Sequence, residues 1–282
     1  MRLWRLLASF GVCALLVLVM VLPAAAEERE QDDAVYLALG DSVAFGFNPL
    51  LDRSNEANFV GYPEALGAQL DLRVTNASCP GEASGGFISL TGTDFLCRPY
   101  RSAFPLHVSY RTSQLDFAVA FLRSHPRTRL ITLDIGANDL FVLEKQCANS
   151  ITCIQNGLPG LLLTLSANLT TIYSRLQQAA PYHHQVVALT YYAVNYNDPV
   201  GVPVISKLND TVVSTTLAAG GRSADGFDAF KVIAEAKGGG DSCAAGLLIA
   251  LPTGGCDIHP SVTGRDALAQ AIGEILPRDL KR

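Results

Sequence analysis

The chain is 282 residues long, with a formal net charge of −5 at neutral pH, 49% hydrophobic residues and 17% charged ones. That composition excludes a disordered chain, and an acidic balance without a basic stretch excludes nucleic acid as a partner. The length fits one large α/β domain or two small ones.

Arg2 and Arg5, an apolar run from Leu6 to Leu22 and the small residues Ala24-Ala25-Ala26 before Glu27 form the pattern of a secretory signal peptide. Residues 1–26 are therefore expected to be removed and 27–282 to form a secreted protein. The rival reading is a permanent anchor, since the run is nearly long enough to cross a bilayer; Pro23 and the Ala-rich end favour cleavage. No later segment is apolar enough for long enough to span.

Ala34–Leu39 is predicted as a first strand, Tyr62–Leu70 as a helix and Asp71–Asn76 as a second strand. A long irregular stretch rich in Gly, Ser and Thr follows. Thr112–Ser124 is an amphipathic helix with Ser113 as cap, and Arg129–Asp134 is a third strand. Leu158–Ala179 is a long helix, with Leu161, Leu162, Leu165, Leu169 and Ile172 at helical spacing. Gln185–Tyr191 is a fourth strand, Pro203–Leu217 a helix, and Phe227–Ile233 a fifth strand. Ser261–Leu276 closes the chain as a helix capped by Ser261. Alternating strands and helices predict a parallel sheet covered on both faces. With no repeat or Pro/Ser linker to split it, 27–282 is expected to be one domain.

Cys13 leaves with the signal. The remaining cysteines, Cys79, Cys97, Cys147, Cys153, Cys243 and Cys256, are even in number, as a disulfide-bonded secreted chain requires. Six cysteines allow about 15 pairings; proximity in sequence favours 79–97, 147–153 and 243–256. None has the spacing of a zinc site, so no structural metal is expected.

In open parallel sheets, ligands bind beyond the carboxyl ends of the strands. Strand one ends in "GDS" at Ser42. Strand two ends in "NASCPGEAS", with Asn76, Gly81 and Ser84. Strand three ends in "DIGAND", with Asn138 and Asp139. Before the last helix stands "CDIHPSVTG", with Asp257 and His259. A hydroxyl, a glycine N–H, a side-chain amide and an imidazole at one rim are the groups that acyl transfer uses: nucleophile, base and oxyanion donors.

Those four blocks, in that order over residues 36–264, resemble the SGNH hydrolases, the GDSL lipase/esterase family. Val43 stands where the family name has Leu. The resemblance implies a three-layer α/β/α sandwich with a five-stranded parallel sheet, flavodoxin-like in class, and no metal or organic cofactor. It implies Ser42 as nucleophile, His259 as base, and an oxyanion hole from Ser42, Gly81 and Asn138. The cysteines also resemble those of secreted actinobacterial-type members, where short-range disulfides staple the loops around the site.

One position departs from the pattern. Many members carry the acid three residues before the histidine, and here that residue is Cys256. Asp257, two before, is the nearest carboxylate, and residues two apart do not share a face of a helical turn. Either Asp257 reaches the imidazole from an irregular loop, or the Cys256 carbonyl accepts from His259 Nδ1; Asp257 is the preferred acid. Among the other polar residues, Asn76 is expected to be structural and Asp139 to cap the helix after it. His107, His125, His183 and His184 are expected on the surface or in packing. Asn76, Asn168 and Asn209 each begin an N-x-[ST] triplet. The resemblance implies a serine esterase or lipase acting on a small-molecule or lipid ester, and a monomer is expected. A polysaccharide O-acetyl esterase with the same groups is the alternative; a secreted binding domain that lost turnover is a third reading, opposed by the intact set.

Overall fold

In the computed structural model of the chain, the residues described are 35–179 and 185–280. The expected signal segment, and His183 and His184, lie outside them. The chain order is β1 Val35–Gly40, α1 Ser42–Phe45, α2 Tyr62–Leu70, β2 Arg73–Asn76, α3 Ser84–Ile88, α4 Cys97–Ala103, α5 Gln114–Ser124, β3 Thr128–Asp134, α6 Ala137–Gln146 and α7 Ile151–Ala179. It continues with β4 Gln185–Leu189, α8 Gly201–Ala218, β5 Arg222–Ala224, α9 Gly226–Gly238, β6 Leu248–Ala250, β7 Cys256–Pro260 and α10 Val262–Ile275.

β1 to β5 form one parallel sheet in the order β2-β1-β3-β4-β5. Helices α2, α9 and α10 pack together on one side, and α5, α7 and α8 on the other, which makes the three-layer α/β/α sandwich. Strand β1 is buried along its whole length, and the central strand β3 almost so. A parallel strand covered on both faces needs apolar residues at every position, and "VYLAL" and "LITL" supply them. α7 turns Leu158, Leu165, Leu169, Ile172 and Leu176 into this core. Ser113 and Ser261 cap α5 and α10 by accepting from the N–H groups of Asp116 and Gly264.

Phe227–Ile233 is not the fifth strand. It lies within α9, which begins behind Asp225, whose carboxylate accepts from the N–H of Asp228. Phe230 and Ala234, four apart, are the buried pair of that helix. The true edge strand is Arg222–Ala224, three residues paired in parallel with Val187–Leu189. The stretch between Cys79 and Cys97, expected to be irregular, contains the short helix α3 and leads into α4.

All three short-range disulfides are formed: Cys79–Cys97, Cys147–Cys153 and Cys243–Cys256. The first sits in a small second core with Phe45, Phe59 and Tyr100, behind α1. The third ties the start of β7 to the loop before β6, and β6 pairs with β7 antiparallel. Among the described residues, no helix is long and apolar enough to cross a membrane.

Candidate active site

The strand order reverses between β1 and β3, and this switch point is where open α/β sheets place their ligands. β1 leads into it through Gly40 at φ +138°, where a Cβ would lie 2.3 Å from the Asp134 carbonyl oxygen. Only glycine lets β1 and β3 approach so closely there. Gln114 holds both backbone groups of Gly40: its Oε1 accepts from Gly40 N–H at 2.7 Å and its Nε2 donates to Gly40 O at 3.0 Å.

Asp41 then caps α1, with Oδ1 accepting from Val43 N–H at 2.9 Å. Ser42 is the first residue of α1, where a backbone N–H has no intrahelical acceptor. At its far end α1 is tied down by Asn76, whose amide donates to Ala44 O and to Glu64 Oε1, both at 2.8 Å. Asn76 is structural, as expected.

β7 brings His259 to Ser42, with Nε2 and Oγ 2.8 Å apart. Behind the ring, Asp257 Oδ1 makes a short hydrogen bond with His259 Nδ1 and accepts from the His259 N–H at 3.0 Å. The segment is a strand, not a helical turn or an irregular loop, and residues two apart on a strand share a face. Asp257 therefore lies beside His259 because of the spacing that would have separated them on a helix. The hydrogen bond from His259 holds the Asp257 carboxyl below the usual carboxylate range, against the opposing effect of partial burial. Phe47 sets its ring edge-on to the imidazole at 4.9 Å, and Tyr192 OH donates to Ile258 O at 2.7 Å, so both flank and backbone of β7 are fixed.

Asn138, in the first turn of α6, is buried, and its Nδ2 donates to Asp41 Oδ2 at 3.1 Å. It does not cap its helix, whose N-cap position is Gly136 with no side-chain bond. Nor does Asp139: its carboxylate accepts from Ser84 N–H at 2.9 Å and Ser84 Oγ at 2.6 Å, joining α6 to α3. Gly81 adopts φ +83°, and a Cβ there would meet Leu96 at 2.5 Å.

Ser42, Asn138 and His259 open into one cleft of about 310 Å³, walled by Phe141 of α6, Val202 and Ile205 of α8 and Ile258 of β7, with Asn195 and Asp198 also in its lining. Gly81 does not line that cleft. His107 Nε2 donates to Phe45 O, 3.0 Å away, and His125 stacks on Phe121; neither reaches Ser42. Asn209, one of the three triplet residues, is buried with its amide closed on both backbone groups of Tyr191.

Sequence reading missed Tyr191, Asp134, Gln114 and Glu64. Tyr191 OH donates to Asp41 Oδ2 at 2.6 Å, and Tyr62 OH donates to Asp134 Oδ1 at 2.8 Å. Apart from Asp134, which opens the DIGAND block, these residues belong to no motif, and they meet because the sheet brings the ends of β1, β3 and β4 together. The one available signal was Asp134 itself, a carboxylate ending an otherwise apolar strand.

The fold is similar to that of solved esterases and lipases. The structure resembles phospholipase A1 from Streptomyces albidoflavus at TM-score 0.57 and 17% identity, covering 86% of this chain and 100% of that one. It resembles an extracellular lipase from Streptomyces rimosus at TM-score 0.54 and 18% identity, over 86% and 100% of the two chains. An acetylxylan esterase from Geobacillus stearothermophilus follows at TM-score 0.52 and 15% identity, over 86% and 93%. At such identities the likeness is one of fold. No curated protein sequence matches the chain. The family itself is decided by sequence: the model of the GDSL-like lipase/acylhydrolase family matches residues 38–267, the span that runs from β1 through the Ser42, Asn138 and His259 blocks into α10, and the chain belongs to that family.

Proposed function

We propose that this hydrolase cleaves carboxylic esters through an acyl-enzyme on Ser42. The observation that carries the reading is the relay of contacts from Ser42 Oγ through His259 to Asp257 at the mouth of the cleft. His259 Nε2 takes the hydroxyl proton as Oγ attacks the ester carbonyl, and Asp257 orients the ring and stabilises the imidazolium. The oxyanion receives the Asn138 amide and the Ser42 N–H, with the Gly81 N–H as the third donor implied by the family pattern. His259 then protonates the leaving alcohol, and water, activated the same way, releases the acid and restores Ser42.

The acyl side is an aliphatic chain. Phe141, Val202, Ile205 and Ile258 form an apolar wall that gains by excluding water from methylenes. The same wall ranks a lipid or aliphatic ester above an acetylated polysaccharide. The catalytic set is complete within one chain, and the chain is proposed to act as a monomer. Residues 1–26 serve as a cleaved secretion signal, and three disulfides suit the oxidising compartment that follows.

The test is p-nitrophenyl ester turnover from acetyl to palmitoyl, beside an acetylated xylooligosaccharide, with covalent labelling by a fluorophosphonate. Ser42→Ala should abolish labelling and lower kcat on the order of 10⁴-fold or more while the protein stays folded. A folded Ser42→Ala variant that keeps a tenth of the rate would refute the mechanism. Faster turnover of the acetylated sugar than of any aliphatic ester would reverse the substrate order.

A further inference from the structure

We propose that Asp134, at the end of β3, is a positioning residue whose carboxyl donates a hydrogen bond to the Asp41 carboxylate and so holds Asp41 in place to receive Tyr191 and Asn138 beneath the nucleophile. The inference rests on Asn138 being an oxyanion donor.

The two side chains are each 1% exposed, and the pairing of Gly40 with Asp134 across β1 and β3 sets the two carboxyls side by side. Their donor supplies differ. Asp41 receives three hydrogens: Val43 N–H on Oδ1, and Tyr191 OH and Asn138 Nδ2 on Oδ2. Asp134 receives Tyr62 OH on Oδ1 at 2.8 Å and the Ala44 N–H faces its carboxyl, while its Oδ2 is buried and has no hydrogen-bond partner among the described residues. Two ionised carboxylates cannot share a water-free contact, and an acceptor with no donor is costly to bury. One proton on Asp134 removes both difficulties, because the orphaned oxygen becomes the donor that the pair lacks.

The ionisable groups facing the pair agree with this placement of the proton. They are Tyr36 from β1, Tyr62 from α2, Asp139 from α6, Tyr191 and Tyr192 from the loop after β4, and His259 from β7. Burial pushes the tyrosines up, so they remain neutral donors. Burial also raises both carboxyls, and Asp134 rises well above the ordinary range because the charge of Asp41 adds to its own desolvation. Gly40 makes the approach possible, since a Cβ there would lie 2.5 Å from Asp134 Oδ1.

The consequence reaches the chemistry through Asn138. One of its two amide hydrogens is committed to Asp41, which orients the plane of the amide and leaves the second for the oxyanion in the cleft. Tyr191, the other donor on that oxygen, is held through its backbone by Asn209. A neutral donor at 134 keeps this acceptor still, whereas a second negative charge would push it away.

The experiment compares Asp134→Asn, whose amide can donate as the acid does, with Asp134→Leu, which cannot, in the full chain. Asp134→Asn is expected to keep kcat within about threefold of wild type, and Asp134→Leu to lose on the order of tenfold or more in kcat with KM unchanged. The infrared spectrum of the wild type at neutral pH should contain the carbonyl stretch of a protonated carboxyl that the wild-type minus Asp134→Asn difference isolates. An empty difference would overturn the proposal, as would an Asn variant as impaired as a folded Leu variant. The band is read without any substrate, so it stands or falls apart from the acyl-enzyme: if Ser42→Ala retained activity while the band persisted, the mechanism would fail and the shared proton would not. Should Asp134→Leu fail to fold, the band and the Asn variant decide the matter.

Discussion

Asp257 and His259 lie two residues apart on β7 and face the same way, so the carboxylate that precedes the imidazole in sequence also supports it in space. The alternative support, the Cys256 carbonyl, is not needed to orient the ring. A carboxylate bonded to Nδ1 holds the tautomer in which Nε2 can accept the Ser42 proton.

Asp257→Asn should therefore be a severe variant. An amide in that place favours the wrong tautomer, and the loss of kcat is expected to approach ~10⁴-fold, close to that of His259→Ala. Steady-state kinetics on one short-chain ester, with circular dichroism to verify folding, reads this directly; a loss below about tenfold would return the supporting role to the backbone. The same pair sets a pH dependence. The folded Asp257 carboxyl lies below its unfolded value, so its contribution to stability is complete above roughly pH 4 and is lost as pH falls through the lower folded value.

Asn138→Ala should lower kcat by about 3–4 kcal/mol in transition-state terms with KM little changed. The structure adds a second effect. Asp41 loses one of its donors inside the core, so stability should fall by about 1 kcal/mol as well. Thermal melting alongside kinetics separates the two; a full loss of stability with unchanged kcat would make Asn138 purely structural.

Breaking Cys243–Cys256 by Cys243→Ser with Cys256→Ser should impair turnover before it unfolds the chain. The bond anchors the start of β7, one residue before Asp257. A loop of this size contributes roughly 3 kcal/mol through the unfolded state in the entropic model. Below the melting temperature of the variant, kcat is expected to drop while the far-ultraviolet spectrum holds. Unchanged kcat in the folded variant would show that β6 pairing alone holds His259.

Glu82, next to Gly81, gives the fold an alkaline limit. Its carboxyl is 3% exposed, and burial, reinforced by the charge of Asp94, raises it to about 8. A carboxyl whose folded value lies above its unfolded one favours the folded state while protonated, so this contribution is lost as pH rises through about 8. Urea unfolding from pH 6 to pH 10 should show declining stability, and Glu82→Gln should flatten part of that decline. An identical slope in the variant would place the titrating group elsewhere.

The sequence by itself determined the layers and singled out residues that the fold brings to one cleft. β1 and β3 were legible because strands buried on both faces must be continuously apolar, and α5 and α10 because their serine caps and helical spacing are local. Ser42, Asn138 and His259 were legible because each closes a recognisable block beside an element end. The edge strand Arg222–Ala224 was not, since it pairs through backbone and carries no side-chain pattern, while Phe227–Ile233 has the apolar content of a strand and the capping of a helix. Only the tertiary structure decided that Asp257 is the residue on His259 Nδ1, because whether residues two apart meet depends on the conformation of β7, and β7 is a strand only by pairing with β6. It alone also decided that Asp41, Asn138 and Tyr191 form one buried network. Those residues are up to 150 positions apart in the chain, and a hydrogen bond across such a separation has no local signature: it exists only where parallel strands bring their carboxyl ends to a common edge.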